Sequence, residues 1–404
     1  MAVLGMGFNQ LATVLADIVG QATGSIVAAP IDTSEFISVG QKGLLAGYDP
    51  LVTAISQVLS RTIFSVRPYS AKFAGLEMDN ARYGNQVRKL SVIDQPIDED
   101  DRIKLADGYS IDPWIVEKPK VYQENFYGIN VYQKMITIYK DQLDVAFSGP
   151  EEFGSFVTMV MQNVSDQLEQ AREDTSRMCL NNLIAGIIAS QNATQVIHLK
   201  TSFCEVKLGL DPSDPTDAAT IAALNVYDPQ YFPEFSKFAY ATMVTASKAM
   251  QERTALYHQN PTAAADVSGV IMRHTPVERQ RLYLNSRFFD NVDASVLSGV
   301  FNDEYLRLMP HEFTTFWQDI RTPYLIDVTA SYMDTDGTIA TDSVTQDNVL
   351  GILMDEEAAG VTMVNEWQQP TPMNPRGGYY NVYWHRSVRF YNSFTENAIV
   401  LLLD

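Results

Sequence analysis

Residues 379–404 read YYNVYWHRSVRFYNSFTENAIVLLLD, and the last seven of them, AIVLLLD, set six apolar residues in a row. Just upstream, Tyr380, Val382, Trp384, Val388 and Phe390 alternate with Asn381, His385, Ser387 and Arg389. Alternation with period two marks a strand with one covered face and one wet face. Asn392 to Asn397 supplies a polar turn. AIVLLL shows no alternation, so as a strand it must be covered on both faces, which places it centrally in a sheet with layers above and below. Termini are usually frayed and polar. Here the closing residues are expected in the core, paired with structure made much earlier in the chain.

A layer for that sheet is offered by the clearest helical pattern in the chain. It opens at Ser148-Gly149-Pro150 and runs through EEFGSFVTMVMQNVSDQLEQAREDTSRMCLNNLIAGII. Its apolar stripe passes through Phe153, Phe156, Val157, Val160, Val164, Leu168, Ala171, Met178, Leu183 and Ile187, with acids in the first turn. At 1.5 Å per residue it would be roughly 55 Å long, more than an ordinary domain is wide. It should serve as a spine. Before it, QVRKLSVID and YGINVYQKMITIYK read as two strands joined by a charged connection, a long hairpin projecting from the body. Residues 1–60 hold two short helical patterns around a Gly- and Ala-rich stretch and read as an arm. Leu208 to Pro233 reads as a loop, Pro233 starts a helix, and Thr275-Pro276-Val277-Glu278 matches a capping box for another.

The 404 residues are 46% hydrophobic, enough for two core-bearing units. The formal net charge of −20 argues against a duplex-DNA binder, which needs cations to displace phosphate counterions. Two cysteines, Cys179 and Cys204, give neither a disulfide framework nor a CxxC, so a reduced folding environment is expected. The first basic residue is Lys42, which leaves no basic region for a secretory signal, and no stretch is long enough to span a membrane.

Catalytic motifs fail one by one. GPEEFGSF at Gly149 has the gap of a phosphate loop, but Ser155 stands where Lys is needed. His311-Glu312 is not followed by a second His, and the remaining histidines are scattered. DTDGT at Asp334 departs from a calcium loop and fits an Asp-Gly hairpin turn better. No catalytic, cofactor or metal residues are assigned. The charge distribution says more: Arg61 to Lys89 carries six bases, whereas Tyr324 to Pro375 carries nine acids and no base. Complementary blocks of this kind suit contacts between identical copies. The candidate contact residues are Arg82, Arg88 and Lys89 at the base of the hairpin and Asp98, Glu99, Asp100 and Asp101 along its connection.

Arm, projecting hairpin, spine helix, second unit and a closing return to the core form the plan of tailed-bacteriophage major capsid proteins of the Hong Kong 97 type. RYGNQVRKLSVID and IDPWIVEKPKVYQENFYGINVYQKMITIYKDQLDVAFSGPEEFGSF resemble that family's extended-loop strands running into its spine helix. LYLNSRFFDNVDASVLSGVFNDEYL resembles the helix and turn of its axial domain, and LGILMDEEAAG with the closing segment resembles its final strands. Lys118 to Leu183 resembles capsid proteins of small short-tailed phages. The resemblance implies an α+β fold divided into an N-terminal arm (1–60), an entry segment (61–85), the extended hairpin (86–140), a peripheral domain with the spine helix (141–200), an axial domain with an insertion (201–365) and peripheral return strands (366–404). It also implies a non-enzymatic shell protein, folded and assembled in the host cytoplasm, that forms pentamers and hexamers around double-stranded DNA it does not specifically bind. Portal and possible scaffolding or inner head proteins would be its other partners. A nanocompartment shell around a cargo enzyme is the nearest alternative, and a soluble enzyme with a dispersed site the more distant one.

Overall fold

The structure, a computed structural model, describes residues 8–61, 72–76, 87–93, scattered positions between 103 and 118, and residues 120–261, 270–295, 311–334 and 337–404. The N-terminal segment, expected to hold two short helical patterns, holds three helices, α1 (Phe8–Thr23), α2 (Thr33–Leu45) and α3 (Tyr48–Arg61), the second of them in the Gly- and Ala-rich stretch between the two expected. Their apolar stripes, including Leu15, Ile18, Phe36, Leu51 and Ile55, are buried in one core. Two glycines of that stretch are close-packing points: a Cβ on Gly40 would lie 2.9 Å from the Phe147 carbonyl, and one on Gly43 2.9 Å from Val19 Cγ2.

Strands β1 (Val87–Ile93) and β2 (Lys120–Phe126) form a two-stranded antiparallel sheet of their own. The expected partner of β1 was β3 (Ile129–Tyr139), and here the structure corrects the sequence reading. β3 pairs with β11 (Tyr379–Asn392), which β10 (Ala359–Pro370) flanks on its other side. The reason is length and cover. β11 matches β3 over its whole span from Ile129 to Tyr139, and the inward residue Ile138 joins Tyr380, Val382 and Trp384 in the core. The short helix α4 (Lys140–Ala146) leads into α5 (Pro150–Ala189), the expected spine, about 60 Å long. Phe153, Phe156, Val157 and Leu168 bury in the same core as α1–α3. Leu180, Leu183, Ile184 and Ile187 bury in a second core. Met178, placed on the stripe by sequence, is exposed. Val160 and Val164 lie outside the described side chains.

After α5 come β4 (Val196–His198), α6 (Leu199–Phe203), α7 (Pro215–Ala223) and α8 (Phe232–Gln251). α7 occupies the stretch expected as loop; Asp214 caps it through the Thr216 amide, 2.8 Å, with Pro215 in its first turn. The helix expected from Thr275 is absent. Pro276 is extended (φ −58°, ψ 152°), only one 3-10 turn follows, and Gln280–Asn285 is strand β5. The Thr275 hydroxyl that should cap a helix donates instead to Asp355 Oδ2, 2.8 Å. α9 (Ser286–Ser295), β6 (His311–Thr314) and the hairpin β7 (Ile326–Met333) and β8 (Ile339–Gln346) come next. That hairpin turns at Asp334 and Gly337 (φ +81°), as the Asp-Gly signal predicts.

β9 (Val349–Asp355) and β12 (Ala398–Leu402) complete a five-stranded sheet in the order β4-β12-β9-β5-β6. β12 is interior and wholly buried. Ala398, Val400 and Leu402 face the second core, under the C-terminal half of α5. Ile399, Leu401 and Leu403 face a third, formed with α6 and α8 through Phe203, Phe235 and Met243. Two cores share this strand as their wall, which is why AIVLLL is apolar on both sides. β11 and β12, both read from sequence as peripheral return strands, therefore enter different sheets.

Candidate assembly surface and hairpin anchor

The β1–β2 hairpin is held to the body by its inward side chains. Lys89 Nζ lies 2.5 Å from Glu396 Oε1 and 3.1 Å from Ser393 Oγ, to which it donates. Arg273 Nη2 reaches the same Glu396 oxygen at 3.0 Å and donates to Ser91 Oγ on β1 at 2.7 Å. From β2, Glu124 Oε2 accepts from Thr395 Oγ1, 2.7 Å, and Ser393 Oγ, 3.3 Å. The anchor is the buried turn 393–397 between β11 and β12. Burial pushes the Glu396 carboxyl up, and Lys89 and Arg273 pull it part of the way back. Asn397 extends the network: its Oδ1 faces His258 Nδ1 at 3.1 Å, and its amide nitrogen donates to Thr275 Oγ1 at 3.2 Å.

Of the seven residues picked from sequence for inter-subunit contact, Arg82, Asp98, Glu99, Asp100 and Asp101 lie outside the described residues. Arg88 is exposed on the outer face of β1, opposite Asn125. Lys89, its neighbour, is committed to Glu396 of its own chain. Part of the acidic block is likewise engaged internally. Glu356 pairs with Arg281 at 2.9 Å and Arg279 at 3.4 Å, Glu357 with Arg279 at 3.1 Å, and Glu366 with Arg386 at 3.2 Å. Sequence reading missed the Glu396 anchor. Its only signal was the polar run NSFTEN between two apolar strands, which also fits a plain turn.

The residues weighed for chemistry are held structurally. Cys179 is buried with its Sγ 2.8 Å from Asn392 Oδ1, and burial pushes its thiol up to about 12, far from a reactive thiolate. The Glu312 carboxylate accepts from the Phe73 amide. Among the described residues no group of three or more His, Cys, Asp or Glu is placed to hold a metal, and no helix is long and apolar enough to cross a membrane.

A model of the Phi29-like phage major capsid protein family matches residues 42–402. The chain belongs to this family. As a major capsid protein it is a structural component of a phage shell, built with other copies of itself. Its fold is shared with the capsid structure of Staphylococcus phage Andhra, at a TM-score of 0.51 and 11% identity, over 85% of this chain and 87% of that one. The capsid structure of cyanophage P-SCSP1u also matches, with a TM-score of 0.45 and 11% identity, over 84% of this chain and 90% of that one. A comparison with curated protein sequences finds no match. The expected α+β, Hong Kong 97-type architecture is thus the one this capsid protein adopts.

Proposed function

We propose that this capsid protein forms pentamers and hexamers that close into an icosahedral head around double-stranded DNA, assembling in the host cytoplasm with a portal and scaffolding or inner head proteins, and carrying out no catalytic step. The observation that carries the reading is the family match across residues 42–402, which takes in the hairpin, the spine helix and the five-stranded sheet. It favours a DNA-filled head over a nanocompartment around a cargo enzyme. We assign the hairpin to β1, β2 and the connection between them, the peripheral domain to β3 and 141–200 with β10 and β11, and the axial domain to the segment from 201 that contains α8 and β5. The net charge of −20 supports enclosure of DNA without tight binding, since few cations are available to displace phosphate counterions.

The experiment is electron microscopy of the purified chain, expressed alone and with its neighbouring gene products. Closed shells of pentamers and hexamers are expected, and a chain that remains monomeric under both conditions would defeat the reading. The unassembled subunit should give no saturable duplex-DNA binding by anisotropy at physiological salt. Binding that falls steeply with added salt would instead reveal a cationic face.

A further inference from the structure

We infer that the outer face of β10 and β11 is a binding site for a neutral glycan, with a sugar ring stacked on Trp367 and its hydroxyls taken by the polar side chains beside it. Strand parity separates the two faces of this pair. Tyr380, Val382, Trp384 and Val388 of β11 are buried, so Tyr383, His385 and Ser387 take the opposite face. Across the ladder Gln369 stands opposite Tyr383, Trp367 opposite His385 and Asn365 opposite Ser387. Trp367 lies on His385 with ring centroids 4.0 Å apart and planes 15° apart, and Tyr383 stacks on His385 in turn, at 6.3 Å and 20°. Three rings are thus held nearly parallel on one face. Trp367, on the edge strand, is 46% exposed.

Rings already stacked on one another lose little further freedom when a ligand is laid against them. Such a row is a platform for a flat partner: the C–H face of a pyranose, a nucleobase or another aromatic ring. The neighbouring side chains choose among these. Asn365, Gln369, Tyr383 and Ser387 have no side-chain hydrogen-bond partner among the described residues, so two amides and two hydroxyls stand available on the same face. Asn365 to Gln369 spans about 13 Å of extended strand, longer than one sugar ring. An apolar peptide would leave those polar groups unmatched, whereas a sugar donates and accepts at every hydroxyl.

Charge excludes the nucleobase when it comes on a phosphate chain. The charges of this stretch, Glu366 and Arg386, take the opposite parity and pair with each other at 3.2 Å. The next residue of the outer parity on β11 is Arg389, which is 7% exposed and offers little to a phosphate. With a net charge of −20 on the chain, a polyanion laid along this face is repelled. An uncharged, polyhydroxylated ring matches what remains: a stacking surface flanked by unpaired amides and hydroxyls.

The test is isothermal titration of the full-length chain with cellopentaose, maltopentaose and chitopentaose, beside an oligothymidylate as the anionic control. At least one of the three glycans should bind. Trp367→Ala should weaken it ten-fold or more, Trp367→Phe should keep most of the affinity because a smaller ring still stacks, and Gln369→Ala should weaken it several-fold. These positions are exposed, so the variants should keep the parent's melting curve. Trp114→Ala, at an exposed tryptophan elsewhere, should bind as the parent does. No binding by any of the three glycans, or equal binding by Trp367→Ala, would overturn the proposal. So would binding of the oligothymidylate in their place, which assigns the stack to nucleobases, or self-association that Trp367→Ala abolishes in a chain that binds no glycan, which assigns it to another copy. None of these readouts depends on whether the chain builds heads, so a failure of the shell reading and a failure of this one are distinguishable.

Discussion

Two basic neighbours on one strand, Arg88 and Lys89, have opposite fates, and sequence could not separate them. Strand parity sends one outward and one inward, but which parity is buried depends on what lies beneath, and that is the distant turn at 393–397. Lys89 and Glu396 are 15% and 6% exposed as side chains, so the pair is desolvated. Lys89→Met should destabilise the unassembled subunit by about 3 kcal/mol, the low end for breaking a buried pair because Arg273 still serves Glu396. Arg88→Met should change stability by less than about 0.5 kcal/mol. Urea melts of the two variants measure the difference. His258 gives the pH dependence. Its Nε2 lies 2.8 Å from the Ile271 carbonyl, and burial lowers its pKa below the ordinary 6.5. A depressed folded pKa contributes stability that is present above about 6.5 and is lost as pH falls through the folded value. His198 runs the other way: its bond to Asp404 raises its pKa, so its contribution is present below about 6.5 and fades as pH rises. That pair is half exposed and solvent-screened, so His258 should dominate. The melting temperature should drop between pH 7 and pH 5, and the drop should shrink in His258→Gln.

The spine was legible from end to end because a continuous stripe, a proline start and early acids all agree. What sequence could not give was its fastening. Arg386, on the covered face of β11, reaches the Leu168 carbonyl at 3.2 Å and Glu169 at 3.7 Å; Arg177 pairs with Glu173 at 2.7 Å and donates to Thr314 at 3.1 Å. A buried Arg at an inward position breaks the alternation that sequence reading relies on, so it looks like noise until its partners are seen. The hairpin partner was misread for a related reason: β2 and β3 are consecutive and equally strand-like, and only tertiary cover decides which of them pairs with β1 and which with β11. Likewise the apparent capping box at Thr275 lost to strand pairing of β5 with β6 and β9. Gly186 tests how closely the spine sits. A Cβ there would lie 2.6 Å from Phe394 and 2.8 Å from the Tyr332 Cβ. Alanine gains about 1 kcal/mol of helix propensity over glycine, but overpacking costs about 1–3 kcal/mol. Gly186→Ala should therefore lower the melting temperature despite the better helix former, with unassembled subunit read by circular dichroism.

The closing strand carries the widest consequences for the subunit. Deleting Ile399 to Leu403 removes the shared wall of two cores, and the truncated chain should be recovered as insoluble protein; a soluble product with a cooperative melt would contradict the assignment. That the terminus belongs to a core could be read from six letters. That it divides two cores, each with its own helices, could not, because the partners of β12 come from β4 and β9. Val400 sits between Val196 and Ile352, and the first of these is about 200 residues away along the chain. Contacts of such separation form slowly, since the loop-closure entropy is lost before the contact returns any stabilisation. Until β12 arrives, β4 and β9 present open edges and both cores lie unsealed along one side. The order of folding is thereby set by kinetics: insertion of the closing strand comes late, and the interval before it is when the chain exposes the most unpaired edge and is most prone to aggregate.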